Sequence, residues 1–333
     1  MKVVLYAAGC ALLSLIAFET SFGNRTRPDD DQEKQAQSLL GQARELTDIR
    51  SSGSHPFRLI ASVQLFDGKA SAAQGMYTLM WESPAVWRDE IKFADYSEIR
   101  VAAVDKLLVS RTPRVLPLEI FRLFALLDFP QVLHPAPNAR FGKVKERTRN
   151  GAHERTVEMG RWIVSLDDSS PLPVRVEDKS FHFGYKFEDY LSFVGHKFPR
   201  TLTEFVASNK PLAQVRLEEL AEATFDSSAF LPPQGASVLR WCPQPEPARL
   251  MDRGDVRPMP AQLRELAQHV VAVYGIIGTD GRWHDLAVVK SAGQQLDSYW
   301  MTQKLQERYS PANCGGVPVE QESVQELHYE TLP

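Results

Sequence analysis

Nowhere does this chain carry a G-x-S-x-G elbow, a G-x-G-x-x-G or G-x-x-x-x-G-K-[ST] loop, an H-E-x-x-H pair or a C-x-x-C pair. Those patterns set nucleophiles, phosphate-binding amides or metal ligands at fixed offsets, so their absence removes the common hydrolase, nucleotide-binding and metalloenzyme readings. The eight histidines are scattered, and no two sit at helical i,i+4 spacing. His153-Glu154 and His284-Asp285 come nearest to a ligand or base pair, but adjacent residues of a strand point to opposite faces. Asp167-Asp168 lie in D-D-S-S-P-L-P, which has turn chemistry throughout. No catalytic, cofactor-binding or metal-ligating residue is assigned, and the chain reads as a non-enzyme without a cofactor. An excess of one charge is missing too. The net charge is −4, the pI is about 6.1, and acids and bases are interspersed. Nucleic-acid recognition leaves a concentrated basic footprint, so that partner class is excluded.

Long apolar runs are also scarce, and the longest is N-terminal. Met1-Lys2 precedes Val3 to Phe18, interrupted by Gly9 and Ser14, and Ser21 and Gly23 stand at −3 and −1 of a cut before Asn24. As a helix the run spans about 24 Å at 1.5 Å per residue, short of the roughly 30 Å of a hydrocarbon core. Residues 1–23 are therefore expected to be a cleaved signal peptide. The alternative is an uncleaved helix that anchors the chain. Of the three cysteines, Cys10 follows Ala7-Ala8-Gly9 and leaves with that segment. Cys242 and Cys314 remain, and an even count in an exported chain is expected to pair. The closed loop of 73 residues contributes up to roughly 4 kcal/mol in the chain-entropy model.

What is present fits two domains. Residues 24–33 read as a polar segment, with Asp29-Asp30-Asp31 as a solvated tail. Ala36, Leu39, Leu40, Ala43 and Leu46 recur at helical spacing. From Phe57 the period becomes two, through Leu59, Ala61, Val63 and Leu65. Further strand-like runs follow at Gly75–Trp81, Trp87–Phe93, Glu98–Val104, Lys106–Arg111, His153–Met159, Trp162–Leu166, Val174–Asp178 and Gly184–Tyr190. An apolar helix-like patch covers Ile120–Leu127. Residues 231–260 hold seven prolines and read as an extended linker.

The order G-M-Y-T-L-M-W-E-S-P-x-x-W-R, then D-D-S-S-P-L-P-V-R-V, resembles the LolA-type lipoprotein carriers over residues 34–230. That resemblance implies a curved antiparallel half-barrel around a helix, whose concave face shields a lipid or other apolar ligand. Phe57, Leu59, Trp81, Trp87, Phe121, Phe124 and Leu127 are the candidates for its wall. The carriers' gating residues are not recognisable here.

Residues 261–333 have a different pattern. Val270–Ile277 meets the turn Gly278-Thr279-Asp280-Gly281, and Leu286–Val289 leaves it; Asp-Gly is a strong hairpin signal. Ser291-Ala292-Gly293 then leads into a helix, with Leu296, Trp300, Met301 and Leu305 at packing spacing, which closes at Tyr309-Ser310-Pro311-Ala312. A last strand runs from Val319 to Tyr329. This β-β-α-β order, with V-x-x-S-x-G before the helix and Y-S-P-A after it, resembles the C-terminal domain of TonB-type energy transducers, a periplasmic docking module. The resemblance implies that Gln321, Ser323, Gln325, Leu327 and Tyr329 form a strand edge for an envelope protein such as an outer-membrane protein. Energy transducers keep a membrane helix and a much longer proline-rich spacer, and this chain departs from both. The expectation is an α+β protein of the periplasm, a half-barrel followed by a small docking domain, acting as a binding or adaptor protein. The alternative is an energy transducer anchored by residues 3–18.

Overall fold

The computed structural model describes residues 4–8, 30–51, 53–66, 72–129, 133, 139–149, 151–179, 183–206, 209–243, 245–254, 263 and 270–328. Two compact units emerge. One comprises residues 18–101 and 126–231, the other residues 1–17, 102–125 and 232–333. Of the expected signal peptide, only Val4–Ala8 falls within the described residues.

The first, larger unit opens with helix α1 (Asp30–Thr47). Of the acidic residues expected as a solvated tail, Asp31 lies in the first turn of this helix, where a carboxylate complements the partial positive charge of the free N–H groups, and Asp29 lies outside the described residues. Ala36, Leu39, Leu40 and Ala43 form the buried stripe of α1, and each leucine contributes about 1.5–3 kcal/mol of transfer free energy. His196 Nδ1 lies 3.1 Å from the Glu45 carbonyl oxygen, which ties the helix to the sheet.

The sheet of this unit contains β2 (Phe57–Leu65), β3 (Ala73–Ser83), β4 (Val86–Lys92), β5 (Ser97–Ala103, of which the last two residues belong to the other unit), β7 (Lys145–Arg149), β8 (Ala152–Met159), β9 (Trp162–Asp167), β10 (Pro173–Asp178), β11 (Gly184–Phe193), β12 (His196–Val206) and β13 (Lys210–Glu222). Strands β7 to β13 meander in sequence order, and β13 then pairs antiparallel with β2, from Ala213↔Leu65 to Glu222↔Phe57. Strand β2 leads back through β3 and β4. Alternation decides which face is inside. Phe57, Leu59, Ala61 and Val63 of β2, and Tyr77, Leu79 and Trp81 of β3, are buried, whereas Met76 is 44% exposed. The face of β3 that carries Met76 is therefore only partly covered.

The second unit holds β1 (Val4–Ala8), β6 (Lys106–Thr112), helix α2 (Leu118–Leu127, of which the last two residues belong to the larger unit), β14 (Ser237–Arg240), β15 (Arg249–Asp252), β16 (Val271–Ile277), β17 (Trp283–Lys290), helix α3 (Gln294–Gln306) and four later strands. Those are β18 (Arg308–Ser310), β19 (Ala312–Cys314), β20 (Val317–Val319) and β21 (Gln321–His328). Its principal sheet has the order β1-β21-β16-β17. The stretch 231–260, read as an extended linker, contributes two strands: β14 pairs with β6 and β15 with β18. Pro232, Pro233, Pro243, Pro245 and Pro247 lie outside these strands and leave the ladder amides free to pair. Cys242 and Cys314 are bonded within this unit, with Cα atoms 6.4 Å apart.

Candidate functional site

Strands β16 and β17 form the hairpin that Asp280-Gly281 marks. Gly281 N–H donates to the Gly278 carbonyl at 3.0 Å. Asp280 Oδ1 accepts from Arg282 N–H and lies 3.0 Å from His284 Nε2, so its carboxyl is held below the usual aspartate range, chiefly by the histidine. His284 is thus partnered by Asp280 rather than by Asp285. Gly281 has φ +72°, and a Cβ there would lie 2.0 Å from the Tyr309 carbonyl oxygen.

Helix α3 covers one face of this sheet. Leu296 and Trp300 pack with Val271 and Val273, against partly buried Leu286 and Val288. The expected fourth member of that face, Leu305, is 61% exposed. Nine residues at about 100° each carry it to the side opposite Leu296. Gln303 and Lys304 take the buried positions, and Lys304 has no exposed surface.

A buried polar network accommodates that lysine. Lys304 Nζ donates to Glu307 Oε1 at 2.8 Å and to Gln325 Oε1. Glu307 Oε2 accepts from Tyr309 OH at 2.6 Å and from Trp283 Nε1 at 3.2 Å, and Gln325 Nε2 donates to Tyr309 OH at 3.1 Å. Burial pushes the Lys304 ammonium below its ordinary pKa, with Glu307 opposing that shift. The same burial pushes the Tyr309 phenol up. None of this was read from the sequence; a lysine three residues before a glutamate at a helix end looks like an exposed pair.

The opposite face of the sheet is covered by the segment 102–125. Arg111 Nη1 and Nη2 donate to the two carboxylate oxygens of Glu322 at 3.0 and 3.2 Å, and Tyr274 OH donates to Glu322 at 2.5 Å. Arg122, on α2, makes a second two-pronged pair with Glu326, at 3.0 and 2.6 Å. The side chains of Arg111 and Glu322 are 5% and 18% exposed, so this is an interior ion pair. Burial, then the Glu322 charge, pushes the Tyr274 phenol well up.

Strand β21 is consequently covered on both faces. Gln321, Ser323 and Gln325, expected at an exposed edge, are buried. Nor is β21 an edge: it lies between β16 and β1. Val4–Ala8 runs antiparallel along its outer side, with Val4↔His328, Leu5↔Leu327, Tyr6↔Glu326, Ala7↔Gln325 and Ala8↔Val324 in register. The resemblance pointed to this strand, but it did not show that the chain's own N-terminal segment occupies it. Leu327 is on the paired stretch, and Tyr329 lies outside the described residues.

The other rim of the sheet differs. Strand β17 departs from regular register with β16 at two places, and Asp285 sits at φ +51°. Bulges and charged residues on an edge disrupt a continuous ladder and discourage further pairing. The straight five-residue register of β21 with β1 contrasts with this blunted rim.

The apolar wall candidates lie elsewhere. Phe57, Leu59, Trp81, Phe121, Phe124 and Leu127 are all buried, and Trp87 is partly covered, with Arg100 above its ring at 5.6 Å. Phe57 stacks on Trp81 with centroids 5.3 Å apart and meets Phe193 edge-on. At 0–2% exposure, Phe57, Leu59 and Trp81 face neither solvent nor a void large enough for water. A ligand would enter only if this interior opened. Asp167, in the turn flagged earlier, accepts from the Ser169 hydroxyl and from Ser169 and Ser170 N–H, and those bonds, the hydroxyl's foremost, hold its carboxyl low. Among the described residues, no three His, Cys, Asp or Glu side chains gather as a metal set.

No protein-family model matches the sequence, and no curated relative does. Solved structures do align with it. A putative outer-membrane lipoprotein-sorting protein domain from Vibrio parahaemolyticus aligns at 13% identity over 59% of this chain and 97% of its own, with a TM-score of 0.40. A LolA-superfamily protein from Nitrosomonas europaea aligns at 11% identity over 59% and 97%, with a TM-score of 0.41. MucB in the Pseudomonas aeruginosa MucA/MucB complex covers 88% of this chain and 93% of its own at 13% identity, with a TM-score of 0.28. These likenesses are loose, and the functional reading rests on strand pairing instead.

Proposed function

We propose that this protein is a non-enzymatic binding or adaptor protein of the cell envelope, whose smaller unit grips an extended segment of a partner protein along β21. The pairing of β21 with Val4–Ala8 carries the reading: this rim accepts an extended strand while both faces of β21 stay packed. Strand addition draws affinity from main-chain hydrogen bonds and specificity from alternate side chains. The β16-β17-α3-β21 order agrees with the TonB-type docking domain that the sequence resembles. The apolar N-terminal run, expected to be a leader, and the cysteine pair support an exported, oxidising location. An anchored energy transducer is less favoured, because residues 4–8 of the supposed membrane helix are a strand here. The α+β architecture of the larger unit agrees with a carrier-like half-barrel, and an apolar ligand there remains the secondary reading.

The test uses chain 24–333 and a labelled peptide of the sequence VVLYAAG, followed by fluorescence polarisation. Methylating alternate backbone nitrogens of the peptide removes donors without changing side chains. If strand addition is the mode, methylation on the paired side weakens binding by up to tenfold for each hydrogen bond lost, at about 0.5–1.5 kcal/mol each. Equal binding by both methylated forms would refute it.

A further inference from the structure

We infer that Val4–Ala8 is a tethered plug, which keeps the docking rim closed until the N-terminal segment is cut off or pulled away. The inference rests on the reading of β21 as the docking strand and adds its regulation. Three observations meet here. The plug occupies the outer side of β21 in unbroken antiparallel register over its whole length. The other rim, at β17, is irregular. Both faces of β21 are already covered, by the Lys304–Gln325 contact on one side and by the Arg111–Glu322 and Arg122–Glu326 pairs on the other. Among the described residues of this sheet, β21 therefore offers a partner strand one regular rim, and that rim is taken.

The occupant is an apolar, uncharged segment, VLYAA. The partner that replaces it is accordingly an extended stretch of small and apolar residues, running antiparallel to β21. A tethered strand competes at an effective concentration on the order of millimolar. If the same strand binds in trans with a Kd of about 10 µM, the tether weakens a competitor roughly a hundredfold. Proteolytic removal of the leader would then act as a switch from closed to open.

The experiment uses the full chain and its Leu5→Pro/Tyr6→Pro variant, because proline removes ladder donors and is poorly tolerated within a paired strand. Binding of labelled VVLYAAG is measured by polarisation, and exchange of the β21 amides by mass spectrometry. The expected result is at least tenfold tighter binding to the variant, together with faster exchange between Val324 and His328. Equal binding and equal exchange in the two proteins would overturn the plug while leaving the docking rim intact. Faster exchange in the variant without peptide binding would overturn the docking reading, and the plug with it. Tight binding to the variant by a peptide methylated on its paired side would show a site other than the ladder and overturn both.

Discussion

Replacing Lys304 by methionine should open the smaller unit far more than a single surface charge would. The lysine is fully buried, and Glu307, its partner at 2.8 Å, is 4% exposed. Removing the ammonium leaves that carboxylate with Tyr309 and Trp283 as donors but without its cation, and leaves Gln325 Oε1 without the Nζ donor. Breaking one side of a buried ion pair costs about 3–5 kcal/mol. Neutralising both members removes the uncompensated charge, so Lys304→Met/Glu307→Gln should cost only about 1–2 kcal/mol, less than the single substitution. The appropriate assay is native-state hydrogen exchange at Val271–Ile277, an interior strand that reports opening of this unit without assuming that the whole chain unfolds in one step. A loss of about 3 kcal/mol appears as a rise in exchange of roughly a hundredfold. The reasoning fails if Lys304→Met costs under about 1 kcal/mol, or if the double variant is at least as unstable as the single one.

Arg111→Met should cost about 3 kcal/mol by the same logic, whereas Arg58→Met, which breaks the half-exposed pair with Glu219, should cost under about 1 kcal/mol; exchange in each unit separates the two. Gly281→Ala adds left-handed strain and a collision with the Tyr309 carbonyl, together about 2–5 kcal/mol, whereas Gly316→Ala, at φ +91° with open space beyond, bears only the strain of about 1–2 kcal/mol. Thermal unfolding of both variants tests that difference. Tyr77, Tyr190, Tyr274 and Tyr309 have phenols pushed up by burial. Their stabilisation is complete below the ordinary tyrosine pKa of about 10 and is lost as pH rises beyond it, because the unfolded chain ionises first. The tyrosinate absorbance of these four should therefore appear together with unfolding rather than ahead of it.

Periodicity made much of the larger unit legible. The two-residue alternation from Phe57 and the runs at Trp162 and Gly184 correspond to β2, β9 and β11, because a sheet with one buried face imposes that pattern directly. Pairing order was not legible. The contact between β2 and β13 joins Phe57 to Glu222, and no local feature of either strand names the other. Proline density misled in 231–260 for a related reason: proline excludes one ladder donor, but it does not prevent residues two or three positions away from pairing.

The β1-β21-β16-β17 sheet shows why hydrophobic patterning alone misassigns a face. Leu305 looks like the buried residue and Lys304 like the exposed one, and their places are exchanged. Exposing one leucine forfeits about 1.5–3 kcal/mol of transfer free energy, whereas the network around Lys304 ties α3, β17, β18 and β21 through directional bonds. A wholly apolar interface would hold the helix equally well but would tolerate rotation and sliding. The donor and acceptor positions allow one placement of α3, and that placement fixes Gln325, hence the register of β21. If the rim of β21 meets an extended strand residue by residue, as proposed, such fixity serves it, because a slip of one position turns every side chain to the wrong face.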